Sequence, residues 1–372
     1  MAKYRFGDIC KVLNGRAYKQ NELLASGKYP ILRVGNFFSS DRWYYSDMEL
    51  PEDKYCDYED LLFAWSASFG PKIWDGEKVI YHYHIWKLIP NDDIADKWYL
   101  YYWLRHSVNR LTAGTHGSVM AHMTKGDMEN QSIELPSLQT QRKISSILRT
   151  IDEKIHNNVA INNNLEQQAQ AIYQQMFIDN ARSNWAEGTL SDIADITMGQ
   201  SPSGSSYNED GTGTIFFQGR AEFGFRFPSV RLYTTEPKRM ARSNDTLMSV
   251  RAPVGDLNVA HTDCCIGRGL AAIHSKSNHQ SFVLYTMFSL KKQLDVFNGE
   301  GTVFGSINRN SLNDMPILIP SDDILDEFER IVAPMDLTIR NNYDENCRLQ
   351  DIRDTLLPRL MSGELDVSDI DI

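Results

Sequence analysis

No apolar run in this 372-residue chain approaches the length needed to cross a bilayer. The opening stretch, MAKYRFGDIC, carries charges where a signal peptide needs its apolar segment. A cytoplasmic protein with no membrane partner is the expectation. Cysteine is scarce: Cys10, Cys56, Cys264, Cys265 and Cys347 show no C-x-x-C spacing. That excludes a disulfide framework or a cysteine-based zinc module and leaves reduced thiols. The nucleotide signatures are missing too. There is no G-x-x-x-x-G-K-[ST], no strand-bounded G-x-G-x-x-G, and no Asn/Asp-Pro-Pro-aromatic tetrapeptide. Gly267-Arg-Gly269 and Gly211-Thr-Gly213 are short fragments that read as turns. No catalytic residue, metal site or bound cofactor is expected in this chain.

What is present is a long seam. From Ile144 to Met176, apolar or small residues fall at Ile144, Leu148, Ile151, Ile155, Leu165, Ala169, Ile172 and Met176, with Asn158 and Asn162 between them. The gaps alternate four and three, the a/d spacing of a coiled coil. A helix of this length would run roughly 50 Å.

Shifted by 184 residues, the seam reappears as Phe328, Val332, Met335, Ile339, Asn342, Asn346, Leu349, Arg353, Leu356 and Leu360. Identities at that shift include Pro136/Pro320, Asp152/Asp336, Ile155/Ile339 and Leu165/Leu349, and upstream Gly15/Gly199, Ile31/Ile215 and Gly35/Gly219. A one-residue slip adds Asp60/Asp245 and Gly70/Gly255. Since twice 184 is nearly the whole chain, this is an internal duplication.

The net charge of −11 argues at first sight against a nucleic-acid partner. Its distribution does not. Residues 1–135 carry 16 basic and 18 acidic groups, 136–180 four of each, 181–319 thirteen of each, and 320–372 only five basic against 14 acidic. The globular segments are near neutral and can still present a basic face to phosphates.

The predicted organisation is α+β. A first globular domain spans 1–135, a first long helix 136–180, a second globular domain 181–319, a second long helix 320–362, and an acidic tail 363–372. Tyr29–Val34, Leu61–Trp65 and Val79–Leu88 read as strands and Lys97–Leu111 as an aromatic-rich helix. In the second half, Thr214–Arg220 and Thr246–Arg251 read as strands and Ser281–Leu294 as the matching helix. Ser137 and Ser321 are predicted N-caps. Pro358 should kink or end the second helix near Leu357.

If the helices pair antiparallel, Asn158 meets Asn346 and Asn162 meets Asn342, so the amides set the register. Alternatively they mark a wet, weak centre. The two domains would then stand at opposite ends of a rod, related by a pseudo-twofold axis. At 3.4 Å per base pair, 50 Å corresponds to roughly 15 base pairs, which suits a bipartite duplex target.

Particular residues carry a family resemblance: Leu135-Pro-Ser-Leu-Gln-Thr-Gln-Arg-Lys-Ile144, Ile151-Asp-Glu-Lys-Ile155, Asn164-Leu-Glu-Gln-Gln-Ala169, and Leu349-Gln-Asp-Ile-Arg-Asp-Thr-Leu-Leu-Pro-Arg-Leu-Met-Ser-Gly-Glu364. The chain resembles the specificity subunit of type I DNA restriction–modification systems, and Gly199-Gln-Ser-Pro-Ser203 resembles the opening of many of its target recognition domains. The resemblance implies that each globular domain reads half of a split site in double-stranded DNA. It implies that the helices set the spacer and dock two methyltransferase subunits that use S-adenosylmethionine on a flipped adenine. Motor–nuclease subunits, with their ATP and magnesium, would complete the complex. The specificity subunit itself is not an enzyme. The rival expectation is a duplicated protein-binding scaffold without DNA readout.

Residues suited to groove readout by type are Arg16, Tyr18, Lys19, Arg33, Asn36, Ser66, Ser68, His116 and His122 in the first domain. In the second they are Gln200, Ser201, Tyr207, Gln218, Arg220, Arg251, Asn308 and Arg309. The stretch from Arg220 to Arg251 carries seven basic against three acidic groups, among them Arg226, Arg231 and Arg242, interleaved with Phe223, Phe225 and Phe227. His82 and His84 are expected on one strand face, as structural histidines or DNA-facing donors rather than metal ligands.

Overall fold

The computed structural model describes residues 1–38, 42–112, 123–299, 305–367 and 370. The chain divides into two compact units, residues 1–157 with 345–372, and residues 158–344. Each unit therefore holds one globular domain together with part of both long helices.

The long helices span Leu138–Tyr173 and Asp322–Ser362, the first continuing as a π-helical turn over Gln174–Asp179. The Ser137 hydroxyl accepts the Thr140 N–H at 3.2 Å, a standard N-cap. The Ser321 carbonyl accepts the Ile324 and Leu325 N–H groups at 3.0 and 3.2 Å. Of the expected kink or end near Leu357, the end does not occur: the second helix passes through both Pro334 and Pro358 to Ser362. Proline removes one backbone bond and crowds the preceding turn. At Pro358, the burial of Leu357, Leu360 and Met361 in the first unit's core holds the last turn helical.

The first unit contains two four-stranded sheets. One has the order Cys10–Asn14, Ile85–Pro90, Leu61–Ser66, Ser68–Ile73, and the other Tyr45–Ser46, Tyr29–Leu32, Val79–Tyr81, Tyr55–Cys56. The second unit repeats the plan. Its first sheet runs Ala194–Met198, Leu270–Ser275, Thr246–Ser249, Leu257–Val259, and its second runs Leu232–Thr234, Thr214–Phe217, Cys264–Ile266, Met240–Ala241, with Tyr207–Asn208 added at the edge. Even the parallel pair recurs, as Ile31↔Ile80 in one unit and Phe216↔Cys265 in the other. A short antiparallel ladder closes each domain, Ala2–Arg5 on Ser132–Leu135 and Ala186–Thr189 on Pro316–Ile319. The duplication is thus a duplication of fold.

The structure splits Val79–Leu88, which its alternation predicts as one strand. Residues 82–84 form a turn between Val79–Tyr81 in one sheet and Ile85–Pro90 in the other. Alternation continues across the turn, so the pattern could not reveal the change of sheet. His82 and His84 accordingly lie on a turn, not on a strand face. Ser281–Leu294 is also broken, into Gln280–Ser289 and Lys291–Leu294.

Each core takes in the helices. In the first unit Ile144, Leu148, Leu357 and Leu360 pack with Tyr99, Leu100, Tyr102 and Trp103 of the helix Lys97–Thr112. In the second, Ala169, Tyr173, Phe328 and Val332 pack with Phe282, Val283 and Tyr285. The helices run antiparallel within each unit. Asp152 meets Arg353 at 2.8 Å in the first, and the Asn342 amide donates to the Asn162 carbonyl at 2.8 Å in the second. Asn162 also donates to the Ile339 carbonyl at 3.3 Å, so the pairing is the expected register. Asn158 and Asn346 are buried as well. The two long helices form an antiparallel coiled-coil pair.

Candidate nucleic-acid interface

In each unit, the turn that carries the chain from one sheet to the other gathers the neighbouring loops around it. In the second unit this turn is Gly267-Arg268-Gly269. Gly267 donates to the Phe217 carbonyl at 2.8 Å, Gly269 to the Gln218 carbonyl at 3.3 Å, Gln200 to the Ile266 carbonyl at 3.0 Å, and Arg268 to the Ser201 hydroxyl at 3.3 Å. Val250 donates to the Gly269 carbonyl at 2.9 Å and Ala252 to that of Gly305, with Arg251 bridged to Ser306. Five loops, near 200, 218, 251, 268 and 305, therefore form one ridge.

The loops pack by backbone, and glycine permits it. A Cβ on Gly199 would lie 2.1 Å from the Gly267 carbonyl oxygen, and one on Gly267 2.8 Å from that of Gln218. No side chain fits there.

The first unit builds the same ridge around His82-Tyr83-His84. Arg16 donates to the Tyr81 carbonyl at 3.0 Å and His82 to that of Leu32 at 2.9 Å, the counterparts of the Gln200 and Gly267 bonds. A Cβ on Gly15 would meet the His82 carbonyl oxygen at 2.4 Å, as on Gly199. Tyr83 donates its N–H to the Arg16 carbonyl at 3.0 Å, and its own carbonyl accepts the Trp65 indole N–H at 2.8 Å. Trp65 stacks on Trp86 and meets His84 edge-on. Burial, reinforced by His84, pushes the His82 imidazole down to about 4, so it is neutral near pH 7. One backbone thus presents Arg16, Arg33 and Tyr83 in one unit where the other presents Gln200, Gln218 and Arg268, and it buries Ser66 where the other exposes Arg251.

The sequence-expected residues fare unequally. Exposed are Lys19, Arg33, Gln200, Gln218 and Arg251 on loops, Ser68 at the start of a strand, and Arg220 and Arg309 at the starts of short helical turns. Arg16 is held by Glu22 through two contacts at 2.8 and 3.0 Å, which hold the Glu22 carboxyl down at about 2. Tyr18 stacks on His82 and Arg33 lies over the Tyr44 ring. Asn36 donates to the Arg42 carbonyl and accepts from the Arg33 N–H. The Tyr207 hydroxyl donates to the Pro202 carbonyl, Asn308 caps the helix Arg309–Asn313 through the Ser311 N–H, and Arg220 is ion-paired with Asp256. Ser66 is corrected: at 2 % exposure it lies beneath the ridge, since its strand is buried on both faces. His116 and His122 lie outside the described residues.

The basic stretch from Arg220 to Arg251 is corrected in part. Arg226 is buried and faces Asp336 at 3.1 Å and Glu166 at 3.0 Å, while donating to the Tyr285 hydroxyl at 3.1 Å. It ties the second domain to both long helices within its unit. Arg231 is ion-paired with Glu222 and Glu209. The first unit has a related clamp in which Asp152 accepts from the Tyr102 hydroxyl and pairs with Arg353, each at 2.8 Å. Composition could count these charges but not show that partners far along the chain neutralise them.

The sequence reading missed Tyr83 and Arg268, both exposed at the tip of their turns. The Gly267-Arg268-Gly269 fragment is the sequence signal for Arg268, because a turn flanked by two glycines displays its middle side chain.

Two matched ridges with different side chains on one duplicated scaffold define a protein built to recognise two related targets. The family comparison names the class: a model described as the type I restriction modification DNA specificity domain matches residues 1–167 and again 182–342. The chain belongs to this family and acts in DNA target recognition. It is similar to a putative type I restriction enzyme MjaX specificity subunit of Methanocaldococcus jannaschii, 28% identical over 97% of this chain and 92% of that one. The HindI specificity subunit of Haemophilus influenzae is 22% identical, over 69% of this chain and 74% of its own. A type I restriction–modification S subunit from M. genitalium, solved by crystallography, shares the fold at a TM-score of 0.65 and 16% identity, covering 96% of this chain and 95% of that one. Among the described residues, no group of His, Cys, Asp and Glu could hold a metal ion, and no helix is long and apolar enough to cross a membrane.

Proposed function

We propose that each unit reads one half of a bipartite site in double-stranded DNA, using the ridge around 82–84 for one half and that around 267–269 for the other. The observation that carries this reading is the duplicated backbone with different side chains at matched positions. Direct readout needs a fixed frame and variable base-contacting groups. The paired helices set the nonspecific spacer and dock two methyltransferase subunits, with motor–nuclease subunits joining the full complex. S-adenosylmethionine, ATP and magnesium belong to those partners, and this chain supplies no catalytic group. The acidic second helix suits a protein partner better than DNA.

The test is methylation mapping with the reconstituted complex. A split motif with a fixed spacer is expected, and seven residues inserted near Asn162 should lengthen that spacer. Methylation without a split motif, or an unchanged spacer after insertion, would defeat the reading. A protein scaffold without DNA contact would show no salt-dependent duplex binding when its partners are present.

A further inference from the structure

We propose that Arg268 is a base-reading residue of the second unit, directed at guanine, and that Tyr83 holds the equivalent reading position in the first. This rests on the DNA-recognition reading above and deepens it to single residues.

Four observations converge. First, 268 and 83 are structurally equivalent: each is the middle residue of the turn joining the second sheet to the first, and each turn is fixed by the same two backbone bonds, from Gln200 and Gly267 in one unit and from Arg16 and His82 in the other. Second, the turns lie where the other loops meet, so their middle residues occupy the centre of the ridge rather than its margin. Third, the chain spends glycines to put them there. Gly267 and Gly269 flank Arg268, and a Cβ on either would come within 3.0 Å of the Gln218 carbonyl oxygen. Fourth, Arg268 is exposed, and among the described residues its guanidinium has no side-chain partner. Arg220, close by, is by contrast already occupied by Asp256. An unpaired fork on a rigid turn suits the O6 and N7 acceptors of guanine in the major groove.

Tyr83 presents different chemistry at the same place. It is 39 % exposed, packs at 3.9 Å on His84 and 4.5 Å on His82, and carries no charge. A neutral aromatic tip offers a hydroxyl and an apolar edge, suited to an A·T pair with its thymine methyl rather than to guanine. The two half-sites should therefore differ at the base pair met by the tip.

The experiment uses the complete complex with its methyltransferase subunits, comparing methylation rates on duplexes carrying every single-base change in the motif. Arg268→Ala should lower discrimination at one G·C pair of one half-site by about 5- to 150-fold and leave the other half-site untouched. Arg268→Lys, which keeps the charge but loses the fork, should not restore it. Tyr83→Ala should relax a position in the opposite half-site only. A uniform loss of binding with Arg268→Ala, reversed by Arg268→Lys, would make it a phosphate contact and overturn the proposal. So would unchanged discrimination in a variant whose thermal melting matches the parent. Should the parent complex itself show no sequence preference, the broader reading fails, which is a separate outcome from failure of the tip assignment.

Discussion

Replacing Arg226 with methionine removes a buried cation while keeping most of its stem. Arg226 is 5 % exposed, and the change cuts contacts to Glu166, Asp336 and Tyr285. Burial already pushes the Glu166 carboxyl upward against the pull of Arg226. Without the guanidinium, two carboxylates face a desolvated space together. Removing one partner of a buried pair costs about 3–5 kcal/mol, mostly the penalty of the charge left behind. The cost should fall in the second unit. Amide hydrogen exchange in Gln280–Ser289, whose residues pack in that core, should speed up by roughly 10²–10⁴-fold, while Lys97–Thr112 in the first unit stays at its parent rate. The sign with pH is fixed. In the variant Glu166, already raised by burial and now without the opposing pull of Arg226, binds its proton more tightly folded than unfolded, so the loss is smallest in acid and grows as pH rises past the ordinary carboxylate range. Adding Glu166→Gln and Asp336→Asn should recover much of it by removing the unpaired charge. Exchange within threefold of the parent, or no recovery in the triple variant, would refute the clamp.

Three further outcomes are expected. Gly199→Ala should abolish discrimination in the second half-site and Gly15→Ala in the first, because the new Cβ meets a carbonyl oxygen at 2.1 or 2.4 Å; methylation mapping separates the two, and normal motifs would refute the backbone packing. Asn162→Leu or Asn342→Leu alone should destabilise the second unit by about 1–3 kcal/mol, since the remaining amide loses its partner. The double replacement should recover most of that in chemical denaturation. The His82 imidazole should titrate near 4 by NMR. The unfolded chain then takes up that proton first as pH falls from about 6.5, so this stabilising contribution is present above that range and fades toward pH 4. A His82 titration above 6 would contradict its burial.

Much of this molecule was legible in the chain. The seam spacing, the 184-residue repeat, Ser137 as a cap, the aromatic helix from Lys97 and the pairing of Asn162 with Asn342 follow from local periodicity and self-similarity, which need no knowledge of distant contacts. The site was legible only in outline. Arg16, Arg33, Gln200, Gln218 and Arg251 stand out by residue type and loop position, and the structure places their backbone on the loops around the two turns. Ser66 and Asn308 meet the same criteria yet are buried and capping, and Arg226, counted only within the basic stretch, is ion-paired.

The duplicated plan, the two long helices and the family are readable from the chain alone, because each is written in spacing along one dimension. Only the folded arrangement shows which charges are neutralised by Glu166, Asp336 or Asp256, which prolines the helix absorbs, and that Tyr83 and Arg268 stand at matched tips. Those outcomes depend on desolvation and on backbone contacts between residues tens to more than a hundred positions apart, and no local pattern encodes them.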